Sequence, residues 1–447
     1  MSISRRDALK FSAITAATVS INAYANPTST KSKETFNSNT FKAPIPDTKN
    51  QRVVVVGGGW SGLTVAKYTK RFAPNSDVIL VEQRDHFVSC PISNLWLVDN
   101  VELEFLTHDY LQAARENDYI YFQAAATNLD KKNKILKTSN GDISYDYIVF
   151  APGIDYDYSL WTDDLAFERR LRQEYPAGFK PGSEHMTLKN KVKNFKGGNF
   201  ILTVPKGNYR CLPAPYERAC IIADYFKQNR LDAKVILLDE NNTITIKEKG
   251  FLSVFIELYK DYLEYYPNSK IENINLDDKI VETEFEEFNF EDASFYPHIR
   301  GAKILQTVGI AKDTQHNKLE GDIDFFTYEV KGEKDIFISG DARPMGFSKS
   351  GNTSHSEGQF VAKILAAKIN KQPAPKWESP TTTCFSAVSI KPQRAIYIYT
   401  QYAPMKSGRF RFDKTYSDEE WRGKQGAING DSIFDWATAL YTDMFSS

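Results

Sequence analysis

The residues in this sequence best placed to do chemistry are three glycines and a cysteine. Arg52 to Gly62 reads Arg-Val-Val-Val-Val-Gly-Gly-Gly-Trp-Ser-Gly, an apolar strand running into Gly57-x-Gly59-x-x-Gly62. Gly57 permits a tight turn, and Gly59 lets the backbone approach a pyrophosphate. Gly62 lets the next helix pack close to the strand, with its N-terminal dipole toward the phosphates. Glu82 closes a second apolar strand, Val78 to Glu82, twenty residues after Gly62. A carboxylate there accepts hydrogen bonds from an adenosine ribose. Cys90 follows eight residues later. A strand before, a helix after and an acid at this distance make the fingerprint specific. The expectation is a dinucleotide site for FAD, with Cys90 placed to bond to the cofactor covalently.

The remaining cysteines are Cys211, Cys220 and Cys384. None forms Cys-x-x-Cys, which excludes a thioredoxin-type pair, a zinc knuckle and a haem attachment site. Any haem in the chemistry must therefore sit on another polypeptide. Six scattered histidines show no metal-ligand spacing, so no metal is expected. A net charge of -1, with both signs interspersed, gives no footprint for nucleic acid. No segment after the N-terminus approaches the run of apolar residues that a membrane span needs. The N-terminus itself reads as an address. Ser4-Arg5-Arg6-Asp7-Ala8-Leu9-Lys10 precedes a mildly apolar stretch that ends in Ala23-Tyr24-Ala25. This is the pattern of a twin-arginine export signal, and it predicts a periplasmic location.

Stepping along the chain gives the elements that must position these groups. A first βαβ unit holds the fingerprint. Residues 103–114 read as a helix, and Asn140-Gly141 marks a hairpin. Tyr145 to Gly153 is a strand ending in a turn. A second βαβ-like unit runs from the strand Phe200–Val204 through a helix over 215–228 to the strand Lys234–Leu238. Its loop, Pro205 to Pro215, contains one glycine and carries Tyr209, Arg210 and Leu212. Those side chains would crowd a second pyrophosphate, which argues against NADH as electron donor. Asp335-Ile-Phe-Ile-Ser-Gly-Asp341-Ala342 returns the chain to the first sheet, and Asp341 is placed to bond the flavin's ribityl chain. The helix after it would stabilise negative charge on a reduced ring. The predicted fold class is α/β: two Rossmann-like dinucleotide-binding-type domains plus a C-terminal α+β domain. The expected boundaries are a signal peptide over 1–25, a flexible leader over 26–50, and an FAD-binding domain over 51–158 and 300–372. A second Rossmann-like domain spans 159–299, and the C-terminal domain spans 373–447.

From about residue 52 onward the sequence resembles the flavoprotein chain of flavocytochrome c sulfide dehydrogenase, a relative of sulfide:quinone reductases. The likeness rests on Val-Val-Val-Val-Gly-Gly-Gly-x-x-Gly, on Ser89-Cys90-Pro-Ile-Ser-Asn94 and on Tyr209-Arg-Cys211-Leu-Pro-Ala-Pro-Tyr-Glu-Arg218. It rests also on Gly340-Asp-Ala followed by Lys349-Ser-Gly351, and on Thr383-Cys384. The resemblance implies that Cys90 is the thioether attachment to the flavin 8α-methyl. It further implies that Cys211 is one of two redox-active sulfurs beside the ring, and that electrons pass to a c-type cytochrome, as a subunit or a soluble protein. The resemblance also implies that the family's second redox cysteine directly follows the Gly-Asp-Ala turn. This chain has Arg343 there, and Cys220 and Cys384 read as small buried hydrophobes. The expectation is that the pre-formed disulfide is absent. Arg343 then faces Cys211 to attract an anionic sulfur compound, or pairs with an acid at the surface. Lys349 is placed against the flavin.

Three functions stay open on the sequence. The first is an FAD-dependent oxidoreductase that oxidises sulfide or a related sulfur compound and reduces a cytochrome c. The second has the same cofactor and acceptor but a different donor. The third is a non-enzymatic, flavin-bearing sulfur carrier with sulfane sulfur on Cys211.

Overall fold

A computed structural model describes residues 41–314, 317–406 and 409–447. The apolar run Arg52–Val56 is the central strand of a five-stranded parallel sheet. Asp77–Glu82 and Tyr147–Phe150 flank it, with Ile120–Gln123 and Ile336–Ile338 at the edges. Val53, Val54 and Val55 are fully buried, as befits a parallel strand covered on both faces. Val55 lies opposite both Leu80 and Val149. This register brings Gly57 and Glu82 out at one carboxyl edge, where a doubly wound sheet receives its ligand. The helices Trp60–Phe72 and Gly351–Ile369 pack together beside the sheet.

A second parallel sheet orders Leu263–Tyr266, Ala233–Asp239, Gly198–Val204 and Asp292–Ser294. The antiparallel pair Ile154–Asp157 and His298–Gly301 carries the chain out to this layer and back. The C-terminal unit is an antiparallel sheet, Thr382–Ile390, Gln393–Pro404 and Phe410–Asp418, followed by the helix Gly423–Phe445. The α/β class expected from the sequence is the observed one.

The C-terminal unit is bonded to both layers. The strand Thr382–Ile390 packs on the helix Ala214–Gln228 of the second layer and on Gly351–Ile369 of the first. Thr382 Oγ1 shares a hydrogen bond with Thr353 Oγ1 at 2.6 Å. Thr383 N–H donates to Asn352 Oδ1 at 2.8 Å, and Ile390 N–H donates to Asp224 Oδ2 at 3.1 Å. The last helix is clamped from the first layer: His355 Nε2 lies 2.6 Å from Asp443 Oδ2, and Lys67 Nζ donates to the Asp443 carbonyl at 2.6 Å.

Two local expectations change. Residues 103–114 are not one helix: a short turn, Leu103–Leu106, leads into the strand Thr107–Asp109 and then the helix Tyr110–Glu116. Thr107–Asp109 pairs with His86–Val88, and the Asp109 carboxylate caps the helix by accepting from Gln112 N–H at 2.7 Å. The twin-arginine segment and the leader up to residue 40 lie outside the described residues. From Phe41 the leader is held, where flexibility was expected. Ala43 N–H donates to Asp142 at 3.0 Å, Asp142 N–H donates to Phe41 at 2.7 Å, and Ala43 and Ile45 are buried. The physical reason is that Gly141–Ser144 is an edge strand, and its unpaired backbone groups favour being covered.

The fingerprint glycines separate structural from binding roles. A Cβ on Gly62 would sit 1.8 Å from the Gly57 carbonyl oxygen, whereas one on Gly59 would meet nothing within 4 Å. Gly62→Ala is expected to lower the thermal midpoint of the ligand-free protein by roughly 5 °C or more. Gly59→Ala should leave that midpoint within ~1 °C and weaken dinucleotide binding instead. A calorimetric scan paired with a binding titration separates the two.

Candidate active site

A cavity of about 590 Å³ opens at the carboxyl edge of the first sheet. It is lined by Gly57, Gly59, Glu82, Cys90, Asp341 and Cys211, and also by Glu217 and Cys384. The donor set fits an FAD. The peptide at Gly59 opens onto the cavity at the N-terminus of the helix Trp60–Phe72, with no side chain in the way. Glu82 is oriented by the Gly58 N–H at 2.8 Å and by Arg84 Nε at 3.0 Å. Burial would raise the Glu82 pKa, but Arg84 outweighs it and keeps the carboxylate ionised. Asp341 accepts from Arg210 Nε at 2.6 Å and from Ser354 Oγ at 3.2 Å. Burial opposes its charge too, and Arg210 overcomes that, holding it below the usual carboxylate range.

Cys90 sits on the turn between the strand His86–Val88 and the short helix Ser93–Trp96. Its Sγ lies 3.6 Å from the Phe179 carbonyl and borders the cavity. Burial raises the thiol pKa, while Arg210 and Arg84 act against that rise.

Cys211 is held in an unusual backbone state, with φ at 58°, a conformation that a non-glycine residue adopts only when its surroundings impose it. Its N–H donates to the Lys349 carbonyl at 2.7 Å, and its own carbonyl accepts from Ala214 N–H at 2.9 Å at the start of the helix Ala214–Gln228. Arg210, next in the chain, makes a parallel bridge to Lys349 and anchors on Asp341. The loop is thereby fastened across the gap between the two layers.

The second sulfur comes from the C-terminal sheet. Cys384, near the start of Thr382–Ile390, lies within hydrogen-bonding reach of Cys211, and both face the cavity as free thiols. This corrects the expectation that Cys384 is a mere buried hydrophobe and that Cys211 has no partner. The hydrogen bond from Cys211, with Lys247 and Ser386 behind it, pulls the Cys384 pKa down to about 6 against the effect of burial. The same hydrogen bond, together with burial, pushes Cys211 well up. The reduced pair is thereby biased toward a Cys384 thiolate beside a Cys211 thiol, with Cys384 Sγ also 3.6 Å from the Phe385 carbonyl.

Arg343 and Lys349 lie elsewhere than expected. Neither borders the cavity. Arg343 is fully buried, with Nε bonded to Glu357 Oε1 at 2.6 Å and Nη2 to the Ser348 carbonyl at 2.9 Å. A carboxylate inside the protein needs a counter-charge. Arg343 supplies it for Glu357 and, fully buried behind the cavity, presents no donor to an anionic substrate there. Lys349 Nζ donates to Glu320 at 2.8 Å and to the carbonyls of Asp341 and Arg343 at 2.7 and 2.9 Å. Its three donors are spent on Glu320, on the Gly-Asp-Ala turn at Asp341 and on Arg343 just after it, so its link to the site runs through its backbone carbonyl on Cys211.

Glu217 is the acid the sequence did not mark, although it stands six residues after Cys211 on the first turn of the next helix. It borders the cavity, and burial pushes its carboxyl up to about 8, with the negative charge of Cys384 adding to the shift. It is a protonated acid near neutrality, beside two sulfurs whose chemistry consumes and releases protons. Among the described residues no cluster of His, Cys, Asp and Glu could hold a metal, and no helix is long and apolar enough to cross a membrane.

The chain is similar to known proteins in sequence and in fold. Residues 185–294 match the family model of the central region of the sulfide dehydrogenase [flavocytochrome c] flavoprotein chain. Residues 47–160 match that of pyridine nucleotide-disulphide oxidoreductases. A flavoprotein chain of sulfide dehydrogenase from Chlorobaculum thiosulfatiphilum is 52% identical over 44 residues, covering 10% of this chain and 92% of that one. The mitochondrial sulfide:quinone oxidoreductase of Mus musculus is 23% identical over 354 residues, covering 74% of each. In fold, the sulfide:quinone oxidoreductase structure from Aquifex aeolicus superposes with a TM-score of 0.69 at 14% identity, covering 88% of this chain and 92% of that one.

Glu217 leaves a mark on stability. The unfolded chain ionises this carboxyl near its ordinary value of 4.5, and the folded protein resists until about 8. The folded state therefore loses stability between those values as pH rises. The melting temperature of Glu217→Gln should gain on the wild type by several degrees over that window and level off above it. A difference independent of pH would contradict the assignment.

Proposed function

The chain belongs to the family of flavocytochrome c sulfide dehydrogenase flavoprotein chains and sulfide:quinone oxidoreductases, and from that premise we propose that it oxidises hydrosulfide through a Cys211–Cys384 disulfide and passes the electrons to a c-type cytochrome. The observation that carries this reading is two sulfurs at the wall of the same cavity as the dinucleotide fingerprint. The notion of a different donor rested on a missing second cysteine, and with Cys384 beside Cys211 that reason falls away.

In the proposed cycle hydrosulfide attacks Sγ of Cys211. The new S–S bond forms there, the Cys211–Cys384 bond breaks, and its electron pair leaves on Cys384. The direction follows from leaving-group chemistry, because the sulfur with the lower thiol pKa departs faster. A second hydrosulfide removes the sulfane sulfur from Cys211 as hydrodisulfide, leaving a dithiol, and Glu217 accepts or returns the proton. Reclosure of the disulfide releases two electrons. FAD, when bound, supplies the two-electron acceptor next to the pair. Gly57, Gly59 and the N-terminus of the first helix would hold its pyrophosphate, Glu82 its ribose and Asp341 its ribityl chain. Cys90 is proposed as its covalent attachment, the twin-arginine segment as the export signal to the periplasm, and a cytochrome subunit or soluble cytochrome c as the acceptor.

An anaerobic titration with sulfide, followed by flavin absorbance, tests the proposal. Sulfide should bleach the flavin, and added cytochrome c should restore it and become reduced. Cys211→Ser and Cys384→Ser should each slow bleaching by at least about a hundredfold, the scale for losing half of a unit that acts together. Bleaching by dithionite alone, with sulfide inert, would overturn the reading. Flavin should stay with the wild-type chain after acid denaturation and be released from Cys90→Ala.

A further inference from the structure

Lys247 is a buried cation without a carboxylate partner. It is 4% exposed. It stands in left-handed backbone, φ 55° and ψ 43°, immediately before the helix Glu248–Leu258. From this second-layer position its side chain crosses into the C-terminal sheet. Nζ donates to Ser386 Oγ at 2.6 Å, to the Cys384 carbonyl at 3.3 Å and to the Ile396 carbonyl at 3.4 Å. All three acceptors are neutral. Three other buried cations around the site are matched by carboxylates, Arg343 by Glu357, Lys349 by Glu320 and Arg210 by Asp341, whereas Arg218, like Lys247, donates to neutral acceptors, Asn94 and the carbonyls of Ala177 and Gly178. None of the described carboxylates forms an ion pair with Lys247. An ammonium held inside a protein without an anion is strongly disfavoured, so its environment must supply negative charge in some state of the reaction.

The ionisable groups that face it are few. From the C-terminal sheet comes Cys384, and from the Cys211 loop and the helix that follows come Cys211 and Glu217. Glu419 stands farther off, with its carboxylate accepting from Gly250 N–H at 2.9 Å. Glu217 is protonated near neutrality, and Cys211 is the donor of the thiol–thiolate pair. Cys384 is the group left to carry the charge. It lies on the same face of its strand as Ser386, the residue that holds the ammonium.

We propose that Lys247 is a positioning residue whose ammonium is the built-in counter-cation of Cys384, selecting Cys384 as the sulfur that departs as thiolate and Cys211 as the sulfur that receives the sulfane. The inference rests on the Cys211–Cys384 pair being the redox pair. The step it governs is balanced: hydrosulfide and the disulfide give the Cys211 hydropersulfide and the Cys384 thiolate, with one negative charge on each side. The charge moves from the entering sulfur to the leaving one, toward Lys247. Burial lowers the Lys247 pKa, and the negative charge of Cys384 acts against that fall. Cation and anion therefore stabilise each other only when the disulfide is open, which pulls the exchange forward.

The test reads thiol reactivity, not turnover. The reduced full-length holoprotein is pulsed with iodoacetamide at a series of pH values, and Cys384 is quantified by peptide mass spectrometry. In the wild type its alkylation should rise with a midpoint near 6. In Lys247→Met the midpoint should move up by at least about one pH unit, which slows labelling at pH 6 by about five- to tenfold because only thiolate reacts. Lys247→Arg should stay within about threefold of the wild type, since it keeps the charge. After one equivalent of sulfide under anaerobic conditions, the persulfide should map to Cys211 in the wild type and spread to Cys384 in Lys247→Met. If Lys247→Met does not fold, Lys247→Gln, which keeps a polar donor for Ser386 and the two carbonyls but carries no charge, should shift the midpoint in the same direction. An unchanged Cys384 profile in a folded Lys247→Met overturns the inference even if sulfide still bleaches the flavin. A shifted profile in a protein that sulfide leaves unbleached would sustain Lys247 and overturn the sulfide reading.

Discussion

The N–H of Cys211 donates to the carbonyl of Lys349 at 2.7 Å, and the site depends on that bond. Cys211 belongs to the second sheet layer, and Lys349 follows the turn that ends the first. Neither layer alone holds Cys211 against the dinucleotide cavity. The bond holds Cys211 in a left-handed conformation that an isolated loop would leave, and it is itself held from both ends. Arg210 is anchored on Asp341, and Lys349 is pinned by Glu320 and by two carbonyls of the Gly-Asp-Ala turn. Buried ion pairs contribute little net stability but fix geometry. Here they fix one sulfur relative to the cofactor-binding edge.

The other sulfur is placed by different means. The strand Thr382–Ile390 is fastened to a helix of each layer by short side-chain hydrogen bonds, and the C-terminal helix is clamped by Asp443 and its partners. Three segments distant in sequence thus converge on one pair of atoms. The charges around that pair are graded. Asp341 and Glu82 stay ionised because guanidinium groups outweigh their burial, Glu217 stays protonated because none does, and Lys247 is matched only by sulfur. The cavity wall can therefore hold one mobile proton and one mobile negative charge.

Legibility in the sequence followed locality. The glycine fingerprint, Glu82 and Asp341 were readable because strand, turn and helix lie within one short stretch and their spacing expresses backbone geometry. The place of Cys90 at the cavity wall was readable from its distance to Glu82, and its bond to the cofactor is a proposal. Cys384 was not, because its role comes from a tertiary contact between a C-terminal strand and a loop of the second layer, and nothing in Thr-Thr-Thr-Cys-Phe-Ser signals that contact. Its neighbour Thr383 offered only a family likeness. Arg343 and Lys349 were misread for the converse reason. Their positions follow the Gly-Asp-Ala turn, but their side chains point into the buried charge network behind the cavity. Glu217 lies within the run Tyr209 to Arg218, where a glutamate on a helix looks like a solvated residue until its burial is known. The leader from Phe41 was misjudged on composition, because an unpaired strand edge at Gly141–Ser144 recruits it.

The measurement that bears most directly on the central claim is a non-reducing peptide map of the air-equilibrated protein. A cross-linked peptide joining Cys211 to Cys384, with Cys220 left as a free thiol, is the predicted result. Recovery of Cys211 and Cys384 as separate free thiols after oxidation, or a cross-link from Cys211 to Cys220, would contradict it.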